Sequence, residues 1–505
     1  MALASTSRVQ LRYVRELVFG ETPNLPSVTR ELRFTGESLN FNLTKETSQE
    51  INADRASSSQ VAVGAEASGS INFELSYAEY DELLSGALQD SWQLYGTNGV
   101  GTNFTLTATA TTLTASVAPT GTSAFTTLKP GQFITLAGFA AGSPNYRKLY
   151  RVSKTVAPTS TVITLDPATP ASPVTTVAGI SVRTSRLTNG VIQPSYSIER
   201  ESGDTAEYFN YRGMTVSSMT LNIASGAITT GEFAFMGKDV VAKDTTSHLP
   251  GTPAPSRAYD IMSGVSGTSC ELWVKGAPLT GTYINTIDIS YDNSLRQQTA
   301  LCVLGSVGIG NGTIVATATC ELYFTSGRVF FQEMLDNENF EFLFTAFDAL
   351  GNGYVFTFPK ANVSTYTVNA GSRDADLLVS IEVTGLLDKG NVVPAMRKVL
   401  IVDRMGDAVD LPQLVNAPAT GFPAITGTPA VGELLTADTT AIQDTNGVGA
   451  FSYVWRRNGV AIPGATSATY TAVSADQGTT LTVIVSFTDT VGFPESRTSP
   501  GVAIA

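Results

Sequence analysis

Histidine is almost missing from this chain of 505 residues, with His248 the single copy. Ser-His-Asp and Cys-His catalysis and ordinary zinc sites need imidazoles in partnership, so those chemistries are excluded as readings. His248 itself sits in a proline- and glycine-rich stretch and reads as an exposed linker residue. Cysteine is nearly as scarce. Cys270, Cys302 and Cys320 form no C-x-x-C pair, and an odd count cannot give a fully paired framework. They read as small hydrophobes in strands. Charged residues make up only 15%, and the balance is acidic at −13. No cluster of Lys or Arg exceeds short pairs, so a protein that grips phosphates is not expected. No apolar run reaches membrane-spanning length, and the first residues, MALASTSRVQLRYVREL, lack the apolar core of a secretory signal. The expectation is a chain made and folded in a cytoplasm.

What is present favours strands. Hydrophobic residues reach 42% and aromatics 9%, enough for folded cores, and the length allows two or three of them. The chain is organised around residues 70–88, SINFELSYAEYDELLSGAL. Ile71, Phe73 and Leu75 alternate with Asn72, Glu74 and Ser76, the period of a half-buried strand. The period then changes: Tyr80, Leu83, Leu84, Ala87 and Leu88 make one stripe of a short helix, with Asp81 and Glu82 in its first turn. The unit returns at residues 318–336, ATCELYFTSGRVFFQEMLD, with Leu322 and Phe324 in the strand and Phe331, Met334 and Leu335 in the helical stripe. Two copies of strand-then-helix predict a duplicated module.

The surrounding order supports duplication. Strands expected at 196–200, 207–212, 215–223 and 231–237 are matched by strands expected at 339–348, 354–359, 363–368 and 377–385. Residues 1–95 and 190–247 therefore make a first module, and 259–410 a second, separated by HLPGTPAPSRA at 248–258. Residues 96–189 are Thr/Ala/Pro-rich, with short strands between turns, and read as a small inserted β-barrel. Its flanks, Trp92 and Val191, should lie close together. Prolines mark 411–431 as a linker. Residues 432–505 place Trp455 at a strand centre, then Asn458-Gly459 and Asp476-x-Gly478, an immunoglobulin-like pattern without its core cysteines.

The stretch 44–60 shows no sustained apolar period and is too long for a hairpin turn, so it reads as a functional loop. Thr44, Lys45, Glu46, Gln49, Glu50, Asn52, Asp54 and Arg55 are its candidate inter-subunit residues. Asp292, Asn293, Arg296 and Gln297 hold the equivalent place in the second module. The carboxylate pairs Glu199/Glu201, Asp336/Glu338 and Asp374/Asp376 read as solvated turn or strand residues rather than a glycosidase dyad or calcium site. GSVGIGNG at 305–312 lacks the G-K-[ST] ending of a phosphate loop and reads as a plain loop.

The run TSQEINADRASSSQVAVGAEASGSINFELSYAEYDELLSGAL, the insert with LKPGQFITLAGF, and SIERESGDTAEYFNYRGMTVSSMTLNIASGAITTGEFAFMGKD together resemble the tail tube (major tail) proteins of long-tailed bacteriophages. The resemblance covers residues 7–388 and rests on ordered elements rather than one motif. It implies an all-β fold: two tail-tube β-sandwich modules with one short helix each, an inserted small barrel and a C-terminal Ig-like sandwich. It also implies a virion protein without enzymatic activity or cofactor. Its partner is itself, in stacked rings that are trimeric when the module is duplicated. Tape measure, tail terminator and tip proteins are further partners. Double-stranded DNA would pass through the lumen without being bound, and the Ig-like domain could touch a host surface. The competing expectation is a bacterial surface or adhesin-like β protein, against which the duplicated strand–helix unit counts.

Overall fold

The alternating runs pair into two ladders of the same order. In the first module the long hairpin of Asn40–Thr47 and Gln60–Glu74 pairs from Asn40↔Ser68 to Thr47↔Gln60. Gln60–Glu74 then pairs with Thr230–Gly237, and that strand with the second half of Glu207–Ala224. In the second module Ile284–Asp292 pairs with Val315–Tyr323, then Leu377–Gly385, then the second half of Gly353–Ala370. Both 18-residue strands carry a bulge at the same place, between Val216 and Ser218 and between Val363 and Thr365. The sequences there are VSSMTLN and VSTYTVN. A bulge leaves one residue unpaired and sharpens local twist, so a shared bulge marks the two strands as copies. A computed structural model shows this architecture and describes residues 5–23, 29–243, 245–249, 251–265, 271–279, 283–324, 328–370, 373, 376–389, 391, 394–408, 419–444, 448–489 and 494–505.

Among the described residues the chain is all-β apart from two eight-residue helices and short 3₁₀ turns. Helix α1, Asp81–Leu88, follows the first organising strand and ends at Gln89, whose backbone is left-handed at φ 55°. All eight of its residues are buried. Helix α2, Arg328–Leu335, follows Val315–Tyr323 in the same way. One apolar core runs through both modules, including Ile71, Phe73, Leu84, Leu221, Phe233, Ile289, Cys320, Phe356 and Ile381.

The inserted unit is a closed six-stranded arrangement. Its sheet runs Leu149–Arg151, Phe133–Ala137, Val174–Arg183, Phe104–Ala108, Thr112–Ala115, Val162–Thr164, and the Val152↔Leu165 bridge joins the two ends. Ser185–Thr188 already belongs to the host sheet, where it pairs with Gln93–Leu94 and Ile401–Met405. Residues 174–188 are thus divided between the two bodies, Val174–Arg183 in the insert and Ser185–Thr188 in the host sheet. Beside these flanks, Gly190 donates its N–H to the Leu88 carbonyl at 2.8 Å.

The C-terminal unit has a core of its own around Trp455, with Leu435, Leu481, Val483 and Phe487. Three short strands lie on one side and a sheet built on Ser452–Arg457 and Thr480–Thr488 on the other. Asp476 accepts hydrogen bonds from Arg457 at 2.6 Å and the Tyr470 hydroxyl at 2.8 Å, pinning the turn before the last long strand. Much of the expected linker, residues 409–418, lies outside the described residues.

Candidate assembly surfaces

The two ladders are joined within the chain by strand pairing. The second half of Glu207–Ala224 pairs with Ile284–Asp292, from Ser218↔Asp292 through Thr220↔Ser290 to Ala224↔Thr286. Each partner has a counterpart elsewhere. Because Phe233↔Ile71 corresponds to Ile381↔Cys320, the residue facing Ser68, Asn40, is the counterpart of Ser290. The shared bulge makes Thr367 the counterpart of Thr220. Among the described residues, Asn40–Thr47 pairs only with Gln60–Glu74. From Thr365 onward, Gly353–Ala370 likewise pairs, among the described residues, only with Leu377–Gly385. Both are open sheet edges, rows of backbone donors and acceptors able to pair with another strand.

The face of this sheet away from the core has one chemical character. Its residues include Glu66, Glu74, Glu232, Asp288, Asp292, Glu321 and Glu382, among Ser70, Asn72, Thr220, Asn222, Ser290, Thr317, Thr319 and Ser380. The stretches 36–42, 66–74, 218–224, 230–236, 286–292, 315–323, 365–370 and 378–384 contain not one Lys or Arg. A surface so composed carries a negative field of one sign.

The structure separates the two sets of loop residues chosen from sequence. Thr44, Lys45 and Glu46 are not in a loop but in the exposed strand Asn40–Thr47. Gln49, Glu50, Asn52, Asp54 and Arg55 do lie in the connection at 48–59. There the Asn52 amide donates to the Ala56 carbonyl at 2.9 Å, Glu50 accepts from Ser58 at 2.6 Å, and Arg55 has φ 63°. Asp292 lies at the junction between modules, facing Ser218. Asn293 is buried, donating to the Ala87 carbonyl at 2.8 Å and the Val216 carbonyl at 3.2 Å. Its amide therefore locks the second module onto the end of α1. Arg296 and Gln297 begin Arg296–Thr299, which pairs with Ser306–Gly310. Residues 305–312, expected as a loop, are thus largely strand. This hairpin lies against the first module, with Gln298, Val307 and Ile309 beside Glu16, Ser195 and Thr215.

The chemical candidates are structural. Glu199, expected on a solvated face, is buried and accepts from the Ser247 hydroxyl and the His248 N–H, both at 2.6 Å. His248 is accordingly half-buried rather than exposed. Glu201 pairs with Arg12 at 2.6 Å, and Glu338 with Lys275 at 2.8 Å. Asp374 lies outside the described residues. Among those described, no group of three or more His, Cys, Asp or Glu is gathered as a metal site, and no helix is long and apolar enough to cross a membrane.

Buried ion pairs, which sequence reading missed, tie the bodies together. Arg404 pairs with Asp81, which also accepts from the Tyr354 hydroxyl at 2.7 Å. Arg186 grips Asp403 with two bonds of 2.7 Å. Glu341 of the second module holds Arg151 and, at 2.7 Å, Lys154 of the insert. Burial pushes the Glu341 carboxyl up, but the two cations outweigh it and hold it at about 2. Phe133 of the insert packs edge-on to Trp273 at 6.0 Å, in a core shared with Leu343, Val355 and Met405.

A family model described as phage tail tube protein matches residues 6–385, spanning both modules and the insert. No curated protein matches the chain.

Proposed function

The chain belongs to the phage tail tube protein family, and on that footing we propose that three copies close into a ring by strand pairing and that the rings stack into a DNA channel. The observation that carries this reading is the junction between Glu207–Ala224 and Ile284–Asp292. The open edges at Asn40–Thr47 and 365–370 are the counterparts of those same two strands. Repeating the junction between copies sets Thr367 opposite Asn40, Tyr366 opposite Phe41 and Thr365 opposite Asn42. Such a contact is heterologous, and it gives a closed ring when the rotation returns on itself. Closure also removes both open edges. Two modules per chain make three chains a sixfold pseudo-symmetric ring.

The acidic, hydroxyl-rich face is then the lumen. Phosphate is repelled by carboxylates and finds no Lys or Arg on that face, so DNA slides without being held. The hairpin tip at 48–59 reaches beyond the sheet and locks one ring to the next. The C-terminal unit is an Ig-like domain on the outer wall, where many copies add weak host-surface contacts by avidity. Tape measure, terminator and tip proteins remain partners by family likeness. Electron microscopy of the purified protein tests the assembly: tubes of three-chain rings are expected, whereas rings of six chains overturn the trimer and monomers overturn the assembly.

A further inference from the structure

Helix α2 is the apolar half of an unfinished interface. Phe331 and Leu335 hold the fourth and eighth places in α2, as Leu84 and Leu88 do in α1. The α1 pair is 1% and 0% exposed, the α2 pair 41% and 60%. The strand beneath repeats the contrast. Met219 and Leu221 are buried, while their counterparts are Tyr366, half-buried against the Phe331 ring at 5.2 Å, and Val368, exposed. What seals the first module is the second: Ile289 and Tyr291 face Leu221 and Met219, and Asn293 follows them onto the end of α1. The counterparts of these three residues are Leu39, Phe41 and Leu43.

We propose that the underside of the long hairpin, Leu43 with Val63 beside it, docks on Phe331, Leu335 and Val368 of a second copy of this chain. The occupant follows from the internal junction, whose strand register delivers Leu43 to the end of α2 as it delivers Asn293 to the end of α1. Chemistry agrees. Leu43 faces Ala65 on the core-facing line of Ala67 and is nevertheless exposed, and Val63, also exposed, is the extra residue of the bulge next to it. An exposed apolar strip on a projecting hairpin and an exposed apolar helix flank are each a cost in water and a match for one another.

The two junctions also differ in kind. Within the chain Asn293 gives a polar lock, its side-chain NH2 donating to the Ala87 and Val216 carbonyls. Between copies Leu43 offers no donor and meets an apolar surface instead. A neighbour's hairpin placed on α1 would leave those carbonyls without the Asn293 amide, and that mismatch keeps the two junctions from exchanging.

This inference rests on the ring reading, and the test separates the two. In a chain with Cys270 and Cys302 replaced by serine, Leu43→Cys with Leu335→Cys should form intermolecular disulfides on assembly, as should Asn40→Cys with Thr367→Cys. Non-reducing gels should show two- and three-chain species for each pair and only monomer for single variants. Leu335→Glu alone should keep the wild-type circular dichroism and melting temperature, yet stay at one-chain mass by light scattering. Adding Leu43→Lys should restore assembly. If Asn40–Thr367 links but Leu43–Leu335 does not, the strand pairing stands and the docking is wrong. Wild-type assembly by Leu335→Glu overturns the docking as well. If neither pair links in assembled tubes, the ring reading falls and takes this inference with it.

Discussion

Asn222 donates its side-chain amide to Asp288 across the boundary between the two modules. Its counterpart in the second module, Asn369, stands on an exposed edge. The same contrast of a covered and an exposed copy recurs along the strand at Leu221 and Val368.

Replacing residues 48–59 by Asn-Gly should shorten the hairpin without unfolding it, because Thr47 and Gln60 already face each other. The variant should have wild-type circular dichroism and form rings in the microscope that do not stack. Full-length tubes from it would remove the tip from ring-to-ring locking.

The acidic face gives a test by charge. Glu232→Lys with Glu321→Lys places cations where the native chain has none. Assembled wild-type protein should leave linear DNA unretarded in a gel shift. The variant should retard it at low salt and release it as salt rises, the signature of phosphate contacts. Equal behaviour of both proteins would place this face away from the lumen.

Arg404→Met should cost about 3–5 kcal/mol in denaturant unfolding, because it strands the buried Asp81 carboxylate with Tyr354 as its remaining named partner. Adding Asp81→Asn should recover part of that loss. A single variant within 0.5 kcal/mol of wild type, roughly the surface-substitution range, would show that the pair does not hold the modules.

Acid should loosen the insert. The Glu341 carboxyl lies below its ordinary value, so its contribution is complete above the unfolded value near 4.5 and is lost as pH falls toward about 2. A depression of that size corresponds to about 3 kcal/mol. Glu16, Glu79 and Glu82 have the opposite sign, raised by burial, and favour the fold in acid. The readout should therefore be local: Trp273 emission shifting between pH 4.5 and 2 in the wild type, and already shifted at neutral pH in Glu341→Gln.

Truncation after Val415 should leave tubes of unchanged inner diameter and a thinner wall. The C-terminal unit has its own core around Trp455, and none of its residues belongs to the core that runs through the two modules. Failure of a folded truncated chain to form tubes would make that unit part of the assembly interface.

The strand–helix units and their order were legible because burial on one face writes its period directly into Ile71, Phe73 and Leu75, then into Leu83, Leu84, Ala87 and Leu88. The repeat VSSMTLN and VSTYTVN is also written in the sequence, but the bulge that it carries is set by pairing with strands distant in the chain. The hairpin at 296–310 was hidden by glycine. A Cβ on Gly308 would lie 2.8 Å from the Gln298 side chain, so the strand uses glycine for clearance where pattern reading sees a loop. Glu199 looked solvated because its donors, Ser247 and His248, come from 48 and 49 residues away. The open edges could not be read at all, since an edge is defined by which distant strand is missing beside it.

The insert hangs from the first module by its two chain ends and is bolted to the second through Glu341 and the Phe133–Trp273 contact. The second module carries no matching insert, because α2 reaches Phe340–Phe347 through residues 336–339. In a wall built of these chains, braced seams must alternate with unbraced ones. Bending load would then concentrate on the unbraced seams, which give the tube its compliance, while each chain moves as one stiff plate.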